Sequence, residues 1–215
     1  MNDLMLSSLK SYWDRLRAGR VAPYRAEIDP RQFESALENT FIVEKLAPET
    51  MRVRLAGTKI CEMMGMEVRG MEPASLIEPE DRVRFERLLN VVMNEPAVVE
   101  LKLAAPNRAG VYRATMLLMP LRSDFGDLNR VIGCTSGDGD LFAAPLAFSI
   151  EDVAVTPVEP SHSMDTRTAM PGFADARAEF SGVPQAPKLR SIEGNPDATT
   201  RPRDGVRRFR VIDGK

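Results

Sequence analysis

Three strand-like runs follow one another between residues 98 and 137 with only turn residues between them, and this succession limits the fold more than any other feature of the chain. VVELKL sets Val99, Leu101 and Leu103 against Glu100 and Lys102, VYRATMLLM sets Tyr112, Ala114, Met116 and Leu118 on one face, and RVIGCTSG closes the series. PNRAG and SDFGDLN supply the turns. Strands joined this closely pair antiparallel, because a parallel pair needs a crossover of a dozen or more residues. The regular βαβ alternation of a dinucleotide-binding fold is therefore excluded.

The preceding segment alternates between helical and extended periods. Leu6, Leu9, Trp13 and Leu16 recur at helical spacing, which predicts an amphipathic helix over residues 4–18 ending at Gly19. Asp29 caps a second short helix with Pro30 at its first position. TFIVEKLA and TMRVRLA, separated by Pro48-Glu49, form a β-hairpin in which Met51, Val53 and Leu55 are expected on the buried face, opposite Arg52 and Arg54. TKICEMM is a short helix closed by Gly65, and PEDRVRFERLLNVVM is a longer one with Phe85, Leu88, Leu89 and Val92 on one face. The chain thus reads as α+β: helix, helix, two strands, helices, three strands.

The periodicity fades near residue 143. Pro157, Pro160, Pro171, Pro184, Pro187, Pro196 and Pro202 punctuate a stretch poor in apolar residues, which cannot offset roughly 1–2 kcal/mol per residue of backbone ordering. Residues 157–202 are expected to be disordered, and APLAFSIEDVAV (144–155) is left open as a strand or a segment lying across the domain. The division expected is an N-terminal flanking helix (1–24), a folded domain (25–142) and a largely disordered tail (143–215) with a basic end. A net charge of −2 argues against nucleic-acid binding by the whole chain. No apolar run reaches the roughly 20 residues of a membrane span. The opening MNDLMLSSLKSYWDRLR lacks the pattern of a signal peptide, so a cytoplasmic location is expected.

The stretch GTKICEMMGMEVRGMEPASLIEPEDRVRFERLL (57–89) resembles a PAS domain: a small helix ending in Gly65, a second Gly70, a packing Leu76, and Pro-Glu-Asp-Arg at Pro79 to Arg82 opening the long helix. WDRLRAGRVAPYRAEIDP and the RVRLAGT junction are similar to a stand-alone PAS-like family of alphaproteobacteria. The resemblance covers about residues 8–140 and implies a five-stranded antiparallel sheet with helices on one face. It also implies a non-catalytic signalling protein that acts in trans on a signalling partner. The alternative it implies is a sensor holding a small apolar ligand or cofactor between sheet and helices.

Val53, Leu55, Ile60, Cys61, Met64, Leu76, Leu101 and Met116 are the candidate pocket, provided that they leave a gap rather than interdigitate. Leu6, Leu9, Trp13 and Leu16 are a candidate interaction stripe for a partner or a second copy, and Arg207, Arg208, Phe209 and Arg210 a candidate docking peptide. No catalytic residue is expected: the one histidine, His162, lies in the tail, so neither a Ser-His-Asp nor a Cys-His arrangement has anything to build on. Cys61 and Cys134 form no C-x-x-C, and no metal site is expected. No cofactor is demanded by the sequence. Haem is disfavoured because residues 1–142 hold no histidine and Met63, Met64 and Met66 suit core filling. Flavin is disfavoured because KICEMM stands where the light-sensing PAS relatives carry an N-C-R-F motif.

Overall fold

A computed structural model describes residues 2–48, 50–107, 110–137 and 144–160. The elements are α1 (Asn2–Arg17), α2 (Glu34–Leu37), β1 (Thr40–Ala47), β2 (Thr50–Ala56), α3 (Thr58–Met64), α4 (Arg82–Asn94), β3 (Ala97–Asn107), β4 (Gly110–Leu121), β5 (Arg130–Gly137) and β6 (Ser149–Pro157). Short 3-10 turns at Arg25–Glu27, Pro30–Phe33, Pro73–Leu76 and Pro79–Asp81 link them. Proline stands at the first position of the last three, where its missing N–H costs no hydrogen bond. The Asp29 side chain accepts the Arg31 N–H as expected of a cap. Gly65 ends α3 with φ of +67°, a conformation costly for any residue with a Cβ.

The strands form one antiparallel sheet in the order β2-β1-β5-β4-β3-β6. The five-stranded expectation is corrected to six: β6 comes from the segment left open after residue 143 and pairs along β3 from Ala104–Ser149 to Ala97–Pro157. Its sequence, SIEDVAVTP, gave only weak alternation because β6 is an edge strand with most positions exposed.

Successive side chains on a strand point to opposite faces, so the sheet divides the core in two. On the inner face Phe41, Val43, Val53, Leu101, Met116 and Leu118 pack against Ile60 of α3, Leu76 of the turn, and Phe85 and Leu89 of α4. On the outer face Ile42, Leu117, Met119, Ile132 and Cys134 pack against α1 and the Phe33–Ala36 segment. This placement corrects the reading of Leu6, Leu9, Trp13 and Leu16 as an interaction stripe. Leu9 is 0% exposed and Trp13 2% exposed, and the Trp13 indole donates to the Pro120 carbonyl at 2.9 Å. Leu6 is buried with them, and Leu16 is partly buried against the same cluster. The cause lies in β4 from Met116 onward and in the middle of β5, which are buried on both faces, so the sheet needs a cover on both sides there.

No helix among the described residues is long and apolar enough to cross a membrane.

Candidate functional site

The inner apolar cluster, in which the side chains pack closely, is built by three local devices. The β1–β2 hairpin supplies Val43 and Val53, the glycine-bounded α3 lays Ile60 and Met63 across the sheet, and β3 and β4 present Leu101 and Met116 directly opposite each other. Of the predicted pocket residues, Val53, Ile60, Leu76, Leu101 and Met116 meet in this one cluster, and Cys61 and Met64 pack against it while partly exposed.

Leu55 does not join them. Ile42 pairs with Leu55 but Val43 pairs with Val53, so Arg54 is the extra residue of a β-bulge. One inserted residue turns everything beyond it to the other face. Leu55 therefore lies beside Ile42 on the outer face, 38% exposed, and is removed from the chamber.

The sequence reading missed Thr135. It stands opposite Met116 on β5 and therefore faces inward, it is 1% exposed, and its Oγ1 has no hydrogen-bond partner among the described residues. A buried hydroxyl without a partner costs about 1–3 kcal/mol, so an exception of this kind calls for an explanation. Alternation along RVIGCTSG was the available signal: Val131, Gly133 and Thr135 share the inner side, so a polar atom was due in the chamber wall.

The two cysteines differ sharply. Cys134 is buried on the outer face, and loss of solvent pushes its thiol up to about 12, against a smaller opposing pull from the Thr40 hydroxyl. It stays protonated at any physiological pH. Cys61 is partly exposed, with Sγ 3.7 Å from Glu67 Oε1. Arg207, Arg208, Phe209 and Arg210 lie outside the described residues, as do residues 161–202 of the segment 157–202 expected to be disordered; at its start Pro157 ends β6 opposite Ala97 and Val158 donates its N–H to the Pro96 carbonyl.

On the outer face at the β1–β2 end, Glu44 is 6% exposed and holds two arginines: Arg130, with Nη2 at 2.9 Å and Nε at 3.1 Å from Oε1, and Arg54 through Oε2. Burial works to raise this carboxyl, but the hydrogen bonds and charges of Arg130 and Arg54 outweigh it and hold it below its ordinary value.

An antiparallel sheet in this strand order, with short helices packed over its inner apolar face, defines an α+β module of the sensor type. The chain belongs to the PAS domain family, whose model matches residues 1–136. Similar solved structures are light-oxygen-voltage (LOV) domains. The light state of the blue-light photoreceptor Aureochrome1 LOV is 17% identical with a TM-score of 0.38, covering 50% of this chain and 86% of that one. A LOV domain studied with a flavin analogue is 16% identical with a TM-score of 0.40, covering 51% and 84%. The Rhodobacter sphaeroides LOV protein is 15% identical with a TM-score of 0.38, covering 52% and 69%. At these levels the likeness is one of fold. No curated protein matches the chain.

These neighbours correct the expectation that disfavoured flavin. They are LOV domains, one of them described with a flavin analogue.

Proposed function

We propose that this PAS domain is a non-catalytic sensor, which holds a small, largely apolar molecule in the inner chamber and reports its presence through contact with a signalling partner. The unpartnered Thr135 hydroxyl carries the reading. A wall made of Val53, Ile60, Leu76, Leu101 and Met116 with one inward hydroxyl is the ordinary composition of a ligand site, mostly apolar with few convergent polar groups. The ligand sought is a compact or flat molecule with one hydrogen-bonding edge, and flavins are within that description. Because the surrounding side chains are closely packed, a ligand must move some of them to enter. Occupied and empty domains would then differ in shape, and a partner that prefers one shape reads the difference.

The test compares the full chain with Thr135→Val by native mass spectrometry and visible absorption after gentle purification. Valine keeps the shape and removes the orphaned hydroxyl, so the empty domain is expected to gain about 1 kcal/mol while the copurifying molecule is lost. Equal stability and equal ligand content in both proteins would overturn the assignment of Thr135. Failure to find or reconstitute any bound molecule would overturn the sensor.

A further inference from the structure

The bulge at Arg54 has a second effect, on the side of the sheet away from the chamber. α1 covers the outer face over β5 and β4 but leaves the β1–β2 end open. There a cleft of about 720 Å³ is floored by Ile42 and Leu55 and rimmed by Arg25, Arg54, Arg69 and Arg130. Its volume falls within the roughly 300–1,000 Å³ of small-molecule sites.

The charges do not cancel in place. Arg54 and Arg130 are committed to Glu44, and Arg130 also lies 3.9 Å from Asp124. Glu67 accepts the backbone N–H of Arg69 at 3.0 Å, not its guanidinium. Among the described residues the guanidinium groups of Arg25 and Arg69 make no ion pair and no hydrogen bond. They belong to separate segments, the 3-10 turn Arg25–Glu27 and the loop after α3, and both reach the same cleft. The lining holds four arginines against two carboxylates, and the Glu44 carboxylate below satisfies two of the four. Counting Glu44, Glu67 and Asp124 against the four arginines, the cleft keeps one net positive charge, with the guanidinium groups of Arg25 and Arg69 uncommitted over an apolar floor.

We propose that this cleft binds an organic phosphate about the size of a mononucleotide. The guanidinium groups of Arg25 and Arg69 take the phosphate oxygens, and the flat body of the molecule lies on Ile42 and Leu55. A guanidinium presents a rigid fork of donors, and two forks approaching from different segments suit a tetrahedral dianion with several terminal oxygens. The floor is flat because it is a sheet face, and it is bare because the bulge turned Leu55 outward onto it. The Glu44 carboxylate fixes Arg54 and Arg130, so the rim is ordered before the ligand arrives and little side-chain freedom is lost on binding.

The experiment follows the methyl resonances of Ile42 and Leu55 in the full chain during titration with AMP, with adenosine and inorganic phosphate as the two halves of the probe. AMP is expected to shift both methyls saturably, and each half to bind at least about tenfold more weakly. Arg25→Ala with Arg69→Ala should weaken AMP by about tenfold or more, since both charged hydrogen-bonding groups are lost and solvent screens part of their effect. Thr135→Val should leave AMP binding unchanged, which separates this cleft from the chamber. Both arginines lie toward the surface, so the double variant is expected to fold, and its circular dichroism checks this. Absence of any shift with about 10 mM AMP would overturn the proposal. So would undiminished binding in the double variant, or shifts produced only by an acidic peptide, which would make the cleft a protein-docking surface.

Discussion

Truncating Leu9 asks whether α1 is part of the domain's core. The side chain is 0% exposed in the outer cluster with Trp13, Ile132 and Met119. Leu9→Ala removes three carbons, worth about 0.8 kcal/mol each in transfer, or about 2.4 kcal/mol together. The space left behind raises the cost to about 3–4 kcal/mol, because a sheet on one side and a helix on the other collapse only partly. With a urea slope of about 2 kcal/mol/M, the unfolding midpoint should fall by about 1.5–2 M. Trp13, the one tryptophan in the chain, lies in the same interface and supplies the probe. Its fluorescence follows α1, while far-ultraviolet circular dichroism follows the whole domain. The two transitions should coincide in the parent and in Leu9→Ala, since one cooperative unit loses both together. A cost below about 1 kcal/mol, or a fluorescence transition preceding the dichroism, would refute the argument and restore α1 to the role of a separable flank.

The Cys61 thiol is expected to react with an aromatic disulfide reagent in the native protein, and Cys134 only after denaturant is added; two equally fast thiols would contradict the burial that raises the latter to about 12. Glu44→Gln should cost about 1–3 kcal/mol, chiefly through Arg130, whose side chain is 20% exposed, because Arg54 at 60% is screened by solvent. Since the folded Glu44 carboxyl sits below its ordinary value of 4.5, its contribution is present above that value and drains away as the pH falls through the lowered one. Urea midpoints at about pH 7 and about pH 3 should therefore converge between parent and Glu44→Gln on the acid side, and a gap that persists there would show that the loss is one of packing.

Element order was legible because the two periods in this chain rarely overlap. The helical spacing of Phe85, Leu88, Leu89 and Val92 and the alternation of Val99, Leu101 and Leu103 give different signals, and glycines or prolines separate them. The face that α1 buries was misassigned for a reason visible in hindsight. Alternation in VYRATMLLMPL ends at Ala114, and from Met116 onward both faces are apolar, as the unbroken burial from Leu117 to Leu121 confirms. A strand buried on both sides requires a second covering layer, and Leu6, Leu9 and Trp13 were the apolar stripe nearest to hand.

The site was less legible because single residues decide it. Most of the residues named from sequence for a pocket do share the inner packed cluster, since each was the apolar member of an alternating pair or of a helical stripe. Strict alternation also placed Leu55 there, and the rule failed where the ladder carried one residue too many. A bulge leaves no mark in composition: Arg54 is an ordinary polar strand residue, and only the pairing of Val43 with Val53 beside Ile42 with Leu55 reveals it. That one residue separates the two compartments along β2, with Val53 in the chamber and Leu55 in the arginine cleft. Deleting Arg54 would remove the bulge and join Leu55 directly to Val53, leaving Leu55 opposite Ile42 on the outer face, whereas pairing Arg54 itself with Ile42 would set Leu55 opposite Phe41 and carry it inward.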